Sequence, residues 1–196
     1  GNQYAVALAL VEDGEVVLGV LGCPNLPQDL KQLNSSRGSV FIATKNQGSA
    51  IRLIDNPSEQ MIKVADIADP RMASFCESFE TTSTSHRKSA RIAETLGLKK
   101  PSIRIDSQCK YGLVARGDAS IYLRVPNNSG YEEKIWDHAA GWLIVNEAGG
   151  EVTDIYGRPL DFSIGQTLSH NTGIVATNGK LHSKVISGIQ QASEGN

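Results

Sequence analysis

An α/β fold, α+β overall, with an antiparallel sheet first and a layered α/β unit after it, is predicted by three observations. The first third holds two pairs of β-rich runs, each joined by a tight turn signal. Strand and helix patterns then alternate to the end of the chain. Within that second part, the stretch IWDHAAGWLIVNEAGGEVTD (135–154) sets a carboxylate, Asp137, directly before an apolar run of helical spacing.

The first strand pair is 3–11 (QYAVALALV) and 15–21 (EVVLGVL), with EDG as its hairpin turn; the second lies in GSVFIATKNQGSAIRL, with NQG as its turn. Between the pairs, CPNLPQDLKQLNSSRG has the Pro, Asn, Ser and Gly density of a surface loop. Around residues 56–73 the pattern fades into polar, Pro-bearing sequence, which divides the chain into 1–70, a partial antiparallel portion of a first domain, and 71–196, an α/β domain. In the second part RKSARIAETLG (87–97) predicts a helix, residues 102–106 and 119–125 predict strands, and so do GEVTD and 172–178. KLHSKVISGIQQA (180–192) closes the chain as a helix on Leu181, Val185, Ile186 and Ile189.

Composition limits the function. The chain has 196 residues, 40% of them hydrophobic, enough for a real core. With 19 Lys plus Arg against 21 Asp plus Glu, the formal charge of -2 argues against a nucleic-acid or membrane partner, so any basic site is local. Cys23, Cys76 and Cys109 are odd in number and lack zinc-type spacing, which favours free thiols in a reducing compartment. No apolar run is long enough to span a bilayer, and a soluble intracellular protein, cytoplasmic or organellar, is expected.

Asp137 has an ordinary explanation, since an acid in the first turn of a helix caps free amides and opposes the dipole. Its surroundings suggest more. In open α/β sheets ligands settle beyond the carboxyl ends of strands. There DSQCKYG supplies Ser107 and Lys110 on one loop, and IYLRVP supplies Arg124. A hydroxyl, an ammonium and a guanidinium converging on one space suit a phosphate ester, although Lys110 and Arg124 could equally pair with Glu132 and Glu133. An acid beside a phosphate is tolerated when a cation lies between them, which makes Asp137 a candidate ligand for a hard metal ion.

WDHAAGWLIVNEAGG resembles the C-terminal signature of the inositol monophosphatase-like, magnesium-dependent and lithium-sensitive phosphatases. Together with DSQCKYG, IYLRVP, EKIWDHAAG and the opening NQYAVALALVEDGEVVLGVLGCPNLP, it resembles their 3′(2′),5′-bisphosphate nucleotidase branch over nearly the whole chain. The resemblance implies hydrolysis of 3′-phosphoadenosine 5′-phosphate, and of its 5′-phosphosulfate relative, with Mg2+ as cofactor. Residue by residue it implies Asp137 as metal ligand, and Ser107, Lys110 and Arg124 as nucleotide-phosphate contacts. A family histidine in a Glu-x-x-His-Ser segment contacts substrate; here ESFETTSTSHRK puts Ser83 at that place and His86 three residues on, and both are candidates. The family's Asp-Pro-Ile-Asp-Gly-Thr loop, which supplies most of its metal cage, is absent from this sequence. The expectation is therefore a C-terminal portion that partners an N-terminal portion of the same protein and has little turnover alone. Two other readings stay open: a non-catalytic nucleotide-binding or interaction module, and an inositol phosphate phosphatase.

Overall fold

The computed structural model describes residues 3–32, 35–79, 83–126 and 130–194, without the side chains of 83–86 and 194. The first sheet is an antiparallel meander of five strands in sequence order: β1 (Val6–Glu12), β2 (Glu15–Pro27), β3 (Arg37–Thr44), β4 (Ser49–Leu53) and β5 (Asn56–Ile62). Asp13 and Gly14 both take positive φ, 50° and 82°, as a primed hairpin turn requires. The expected loop from Cys23 is partly wrong. β2 runs on through Pro27, and Cys23 and Leu26 are fully buried, the ladder being interrupted by an irregularity between Cys23 and Pro27 rather than ended. Nor does the sheet stop at residue 53, because β5 forms an exposed fifth strand from polar sequence.

The second sheet has the order β7-β6-β8-β10-β9, from β6 (Phe75–Glu77), β7 (Ile103–Arg104), β8 (Ile121–Arg124), β9 (Glu151–Thr153) and β10 (Ile174–Thr177). β6 runs parallel to both β7 and β8, so these three carboxyl ends open to one side, while β10 is antiparallel to β8 and β9. Around it lie α1 (Ser83–Thr95), α2 (Cys109–Ala115), α3 (Ala139–Glu147) and α4 (His182–Glu194).

α3 packs against the first sheet at a glycine: a Cβ on Gly19 would stand 2.8 Å from the Ala140 carbonyl oxygen. α2 packs against α3 at another, since a Cβ on Gly141 would overlap the Tyr111 ring. Leu21, Phe41, Tyr111, Leu113, Ile144 and Ile174 share one core cluster that draws on both sheets. Full burial of such side chains contributes roughly 1.5–3 kcal/mol each.

Candidate functional site

Three predicted residues stand where the parallel strands end. Arg124 closes β8, Ser107 lies three residues beyond β7, and Lys110 is in the first turn of α2, a helix where the sequence suggested only a loop. Ser107 has φ 66°, a left-handed conformation uncommon for a residue with a side chain, and such outliers gather at functional sites. Its hydroxyl accepts from the Cys109 amide (3.3 Å) and donates to the Cys109 sulfur (3.2 Å), which holds the tight entry into α2.

Lys110 is 5% exposed. Its Nζ donates to the Ser78 hydroxyl (2.7 Å) and the Ile105 carbonyl (3.3 Å) and lies 5.4 Å from the centre of the Tyr122 ring. Burial pushes its pKa down, while Cys76 and Asp106 work in the other direction. It pairs with neither Glu132 nor Glu133.

Arg124 does pair, with Glu133. Nε donates to Oε1 (3.1 Å) and NH2 to Oε2 (2.9 Å), a parallel fork. Burial works against its charge, yet Tyr122 and Glu133 outweigh that and hold its pKa above the ordinary arginine value. Glu133 is buried and still ionised: burial would raise its pKa, but His138 and Arg124 bring it below the usual carboxylate value. His138 Nε2 lies 2.9 Å from Glu133 Oε2, and its Nδ1 2.7 Å from the Tyr111 hydroxyl. Burial first, opposed by Glu133, lowers the His138 pKa, so the ring is neutral near pH 7.

Asp137 ends a 3-10 turn, Ile135–Asp137, and His138 stands between it and α3. The capping role is therefore not realised: the N-cap position is His138, with no side-chain cap bond. Among the described residues nothing donates to the Asp137 carboxylate, which is half-buried. Neighbouring chain holds the turn in place, since Ile135 N donates to Gln166 O (3.1 Å), Leu168 N to Glu133 O (2.8 Å) and Gln108 Nε2 to Trp136 O (3.2 Å). The last bond joins the Ser107 loop to the Asp137 turn. The side chains of Ser83 and His86 lie outside the described residues, although both positions are in α1.

Glu133, Asp137 and His138 offer oxygen and nitrogen atoms within 4.8 Å of one another. Both Glu133 oxygens and both His138 nitrogens are already engaged, which leaves Asp137 as the available hard-oxygen ligand in that group. Cys109 is buried, and its pKa is lowered to about 7 by hydrogen bonds from the Cys23 thiol and Ser107, with Lys110 contributing. All three cysteines are free and buried.

The two-sheet fold, with Ser107, Lys110 and Arg124 at or just beyond the carboxyl ends of its parallel strands, points to a class, and the comparisons place the chain in it. The inositol monophosphatase family model matches residues 1–194. The chain belongs to that family. A 3′(2′),5′-bisphosphate nucleotidase of Oryza sativa is 48% identical over 98% of this chain and 55% of its own length, and one of Dictyostelium discoideum 45% identical over 97% and 57%. The chain thus spans little more than half the length of these curated relatives. Among solved structures, extragenic suppressor protein suhB of Bartonella henselae superposes with a TM-score of 0.67 at 21% identity, over 95% of this chain and 61% of that one. An inositol monophosphatase of Zymomonas mobilis gives 0.64 at 20%, over 95% and 62%. These likenesses show the fold.

Proposed function

We propose that this chain carries the substrate-phosphate contacts, and one metal ligand, of a phosphatase acting on the 3′-phosphate of 3′-phosphoadenosine 5′-phosphate to give AMP and phosphate. The 5′-phosphosulfate relative would fit the same contacts. The observation that carries this reading is the placement of Ser107, Lys110 and Arg124 at or just beyond the carboxyl ends of parallel strands, in a chain whose curated relatives are named bisphosphate nucleotidases. Residues 1–70 and 71–196 then act as two parts, the second holding these groups.

In this reading Arg124 and Lys110 bind phosphate oxygens and neutralise their charge, and Ser107 turns its one hydroxyl proton from the Cys109 sulfur to the phosphate. Asp137 would hold magnesium, which supplies a water of lowered pKa and charge neutralisation when bound. Magnesium keeps several waters and binds isolated carboxylates weakly, so Asp137 alone holds it poorly. The chain's own strength is therefore nucleotide binding, with slow turnover.

Calorimetric binding and phosphate release, measured with the bisphosphate and with inositol monophosphate, with and without magnesium, test this. Binding of the bisphosphate, weakened about tenfold or more by Arg124→Ala, is expected. Preference for inositol monophosphate would overturn the substrate assignment. Tight binding with no magnesium-dependent release would support a non-catalytic nucleotide-binding module, which the engaged state of Glu133 and His138 also favours.

A further inference from the structure

Arg124 does not reach the site alone. Glu133, as a carboxylate, only accepts, so His138 Nε2 must donate to it across 2.9 Å. Its Nδ1 meets the Tyr111 hydroxyl at 2.7 Å, accepting that hydroxyl's proton when the ring is neutral. The bonds run in series: Tyr111 with His138, His138 to Glu133, and Arg124 to Glu133 from the other side. Tyr111 and His138 are 0% exposed and Glu133 8%, so water does not compete. One end of this chain is a core tyrosine in α2. The other is the guanidinium at the end of β8, whose side chain is 38% exposed.

We propose that Tyr111, His138 and Glu133 are positioning residues, a buried hydrogen-bonded chain that locks the Arg124 guanidinium in the orientation a substrate phosphate needs. The proposal rests on the phosphatase reading above for the identity of that phosphate. A guanidinium has five N–H donors, so the fork to Glu133 and the contact with Tyr122 still leave donors for a phosphate. Fixing the fork from behind fixes where they aim and removes the rotamer entropy that an untethered arginine would lose on binding. His138 also follows Asp137 directly, so the same chain anchors the end of the turn that carries the candidate metal ligand.

Charge alone predicts the opposite of positioning. Glu133 is an anion beside a cation that receives an anion, so on electrostatics its removal should tighten phosphate binding. Positioning predicts that Glu133→Gln weakens it. Tyr111→Phe changes no charge and keeps the ring, so any effect on affinity reports geometry.

The test uses the purified chain, calorimetry with 3′-phosphoadenosine 5′-phosphate in chelator, and nitrogen NMR of the arginine Nε–H groups, with Arg124 assigned by its loss in Arg124→Lys. The parent should show a slowly exchanging Arg124 Nε–H, and Tyr111→Phe and Glu133→Gln should each lose that protection and bind the bisphosphate about fivefold to tenfold more weakly. Unchanged or tighter binding in Glu133→Gln, together with an unaffected Tyr111→Phe, overturns the proposal, as does an unprotected Arg124 Nε–H in the parent. Should Tyr111→Phe fail to fold by circular dichroism, Glu133→Gln carries the decision through the sign of its effect. A protected Arg124 that responds to both variants, in a parent that neither binds the bisphosphate nor releases phosphate, would leave the positioning chain standing and sink the phosphatase reading.

Discussion

At the level of single residues, His182 shows how far polar groups are committed in this fold. It is buried, with Nε2 2.8 Å from the Thr153 hydroxyl and Nδ1 3.0 Å from that of Thr177. Burial lowers its pKa, with Glu151 opposing. A histidine whose folded pKa is depressed favours the neutral form, so its contribution is complete above the unfolded value of about 6.5 and is lost as pH falls below it. Thermal midpoints should therefore fall from pH 7.5 to 5.5, and His182→Asn should flatten that part of the profile. Gly141 is the steric counterpart. An alanine there drives a methyl into the Tyr111 ring, and overpacking of this kind costs about 1–3 kcal/mol. Gly141→Ala should lower the urea midpoint accordingly and, by displacing Tyr111, weaken bisphosphate binding as well. Asp137 was singled out as a candidate metal ligand through the wording of its motif, because nothing in helical periodicity separates a metal ligand from a cap. Glu133 was legible only as a partner Arg124 could take; its bond to His138, and the further bond from His138 to Tyr111, were not, because no local spacing announces a chain that joins residues 111, 124, 133 and 138.

Among the elements, α3 packs against both sheets, as α2 does, and its last residue shows how. Glu147 sits at a helix C-terminus, where a negative charge meets the unfavourable end of the dipole. Its two oxygens instead accept from the amides of Asn46 (2.7 Å) and Gly48 (2.8 Å) in the β3–β4 turn. Glu147→Ala should cost about 1–3 kcal/mol and speed hydrogen exchange at those two amides before the rest of the sheet. Paired strands with clear turns, and helices with one apolar face, were readable because each carries its own period. α2 was not: all seven of its residues are buried, so it has no polar face and no 3.6-residue alternation to detect. β5 failed for the opposite reason, being exposed along nearly its whole length at the sheet edge, with no apolar alternation. The β2 extension was masked by Pro24 and Pro27, which signal a loop unless a ladder irregularity accommodates them.

Across the molecule, α3 packs on one face of the first sheet, and on the other face the edge strand and its neighbour show exposed apolar side chains. Val6, Leu8 and Leu10 of the edge strand β1 are 56%, 66% and 48% exposed, and Leu18, paired with Leu10, adds 37%. An exposed apolar patch beside an open strand edge favours association. The purified chain should form dimers or larger species by light scattering, and Leu8→Lys with Leu10→Lys should shift it toward monomer without loss of helix signal. The two tryptophans divide along another line. Trp136 is 55% exposed and adjoins Asp137, whereas Trp142 packs edge-on against Phe162, ring centres 5.4 Å apart at 65°. Their fluorescence should separate into a long-wavelength component from Trp136 and a shorter-wavelength one from Trp142. In a Trp142→Phe variant the remaining emission becomes an intrinsic dye beside the carboxylate. A magnesium titration of its intensity would then report occupancy of Asp137 directly, without turnover, label or coupled assay.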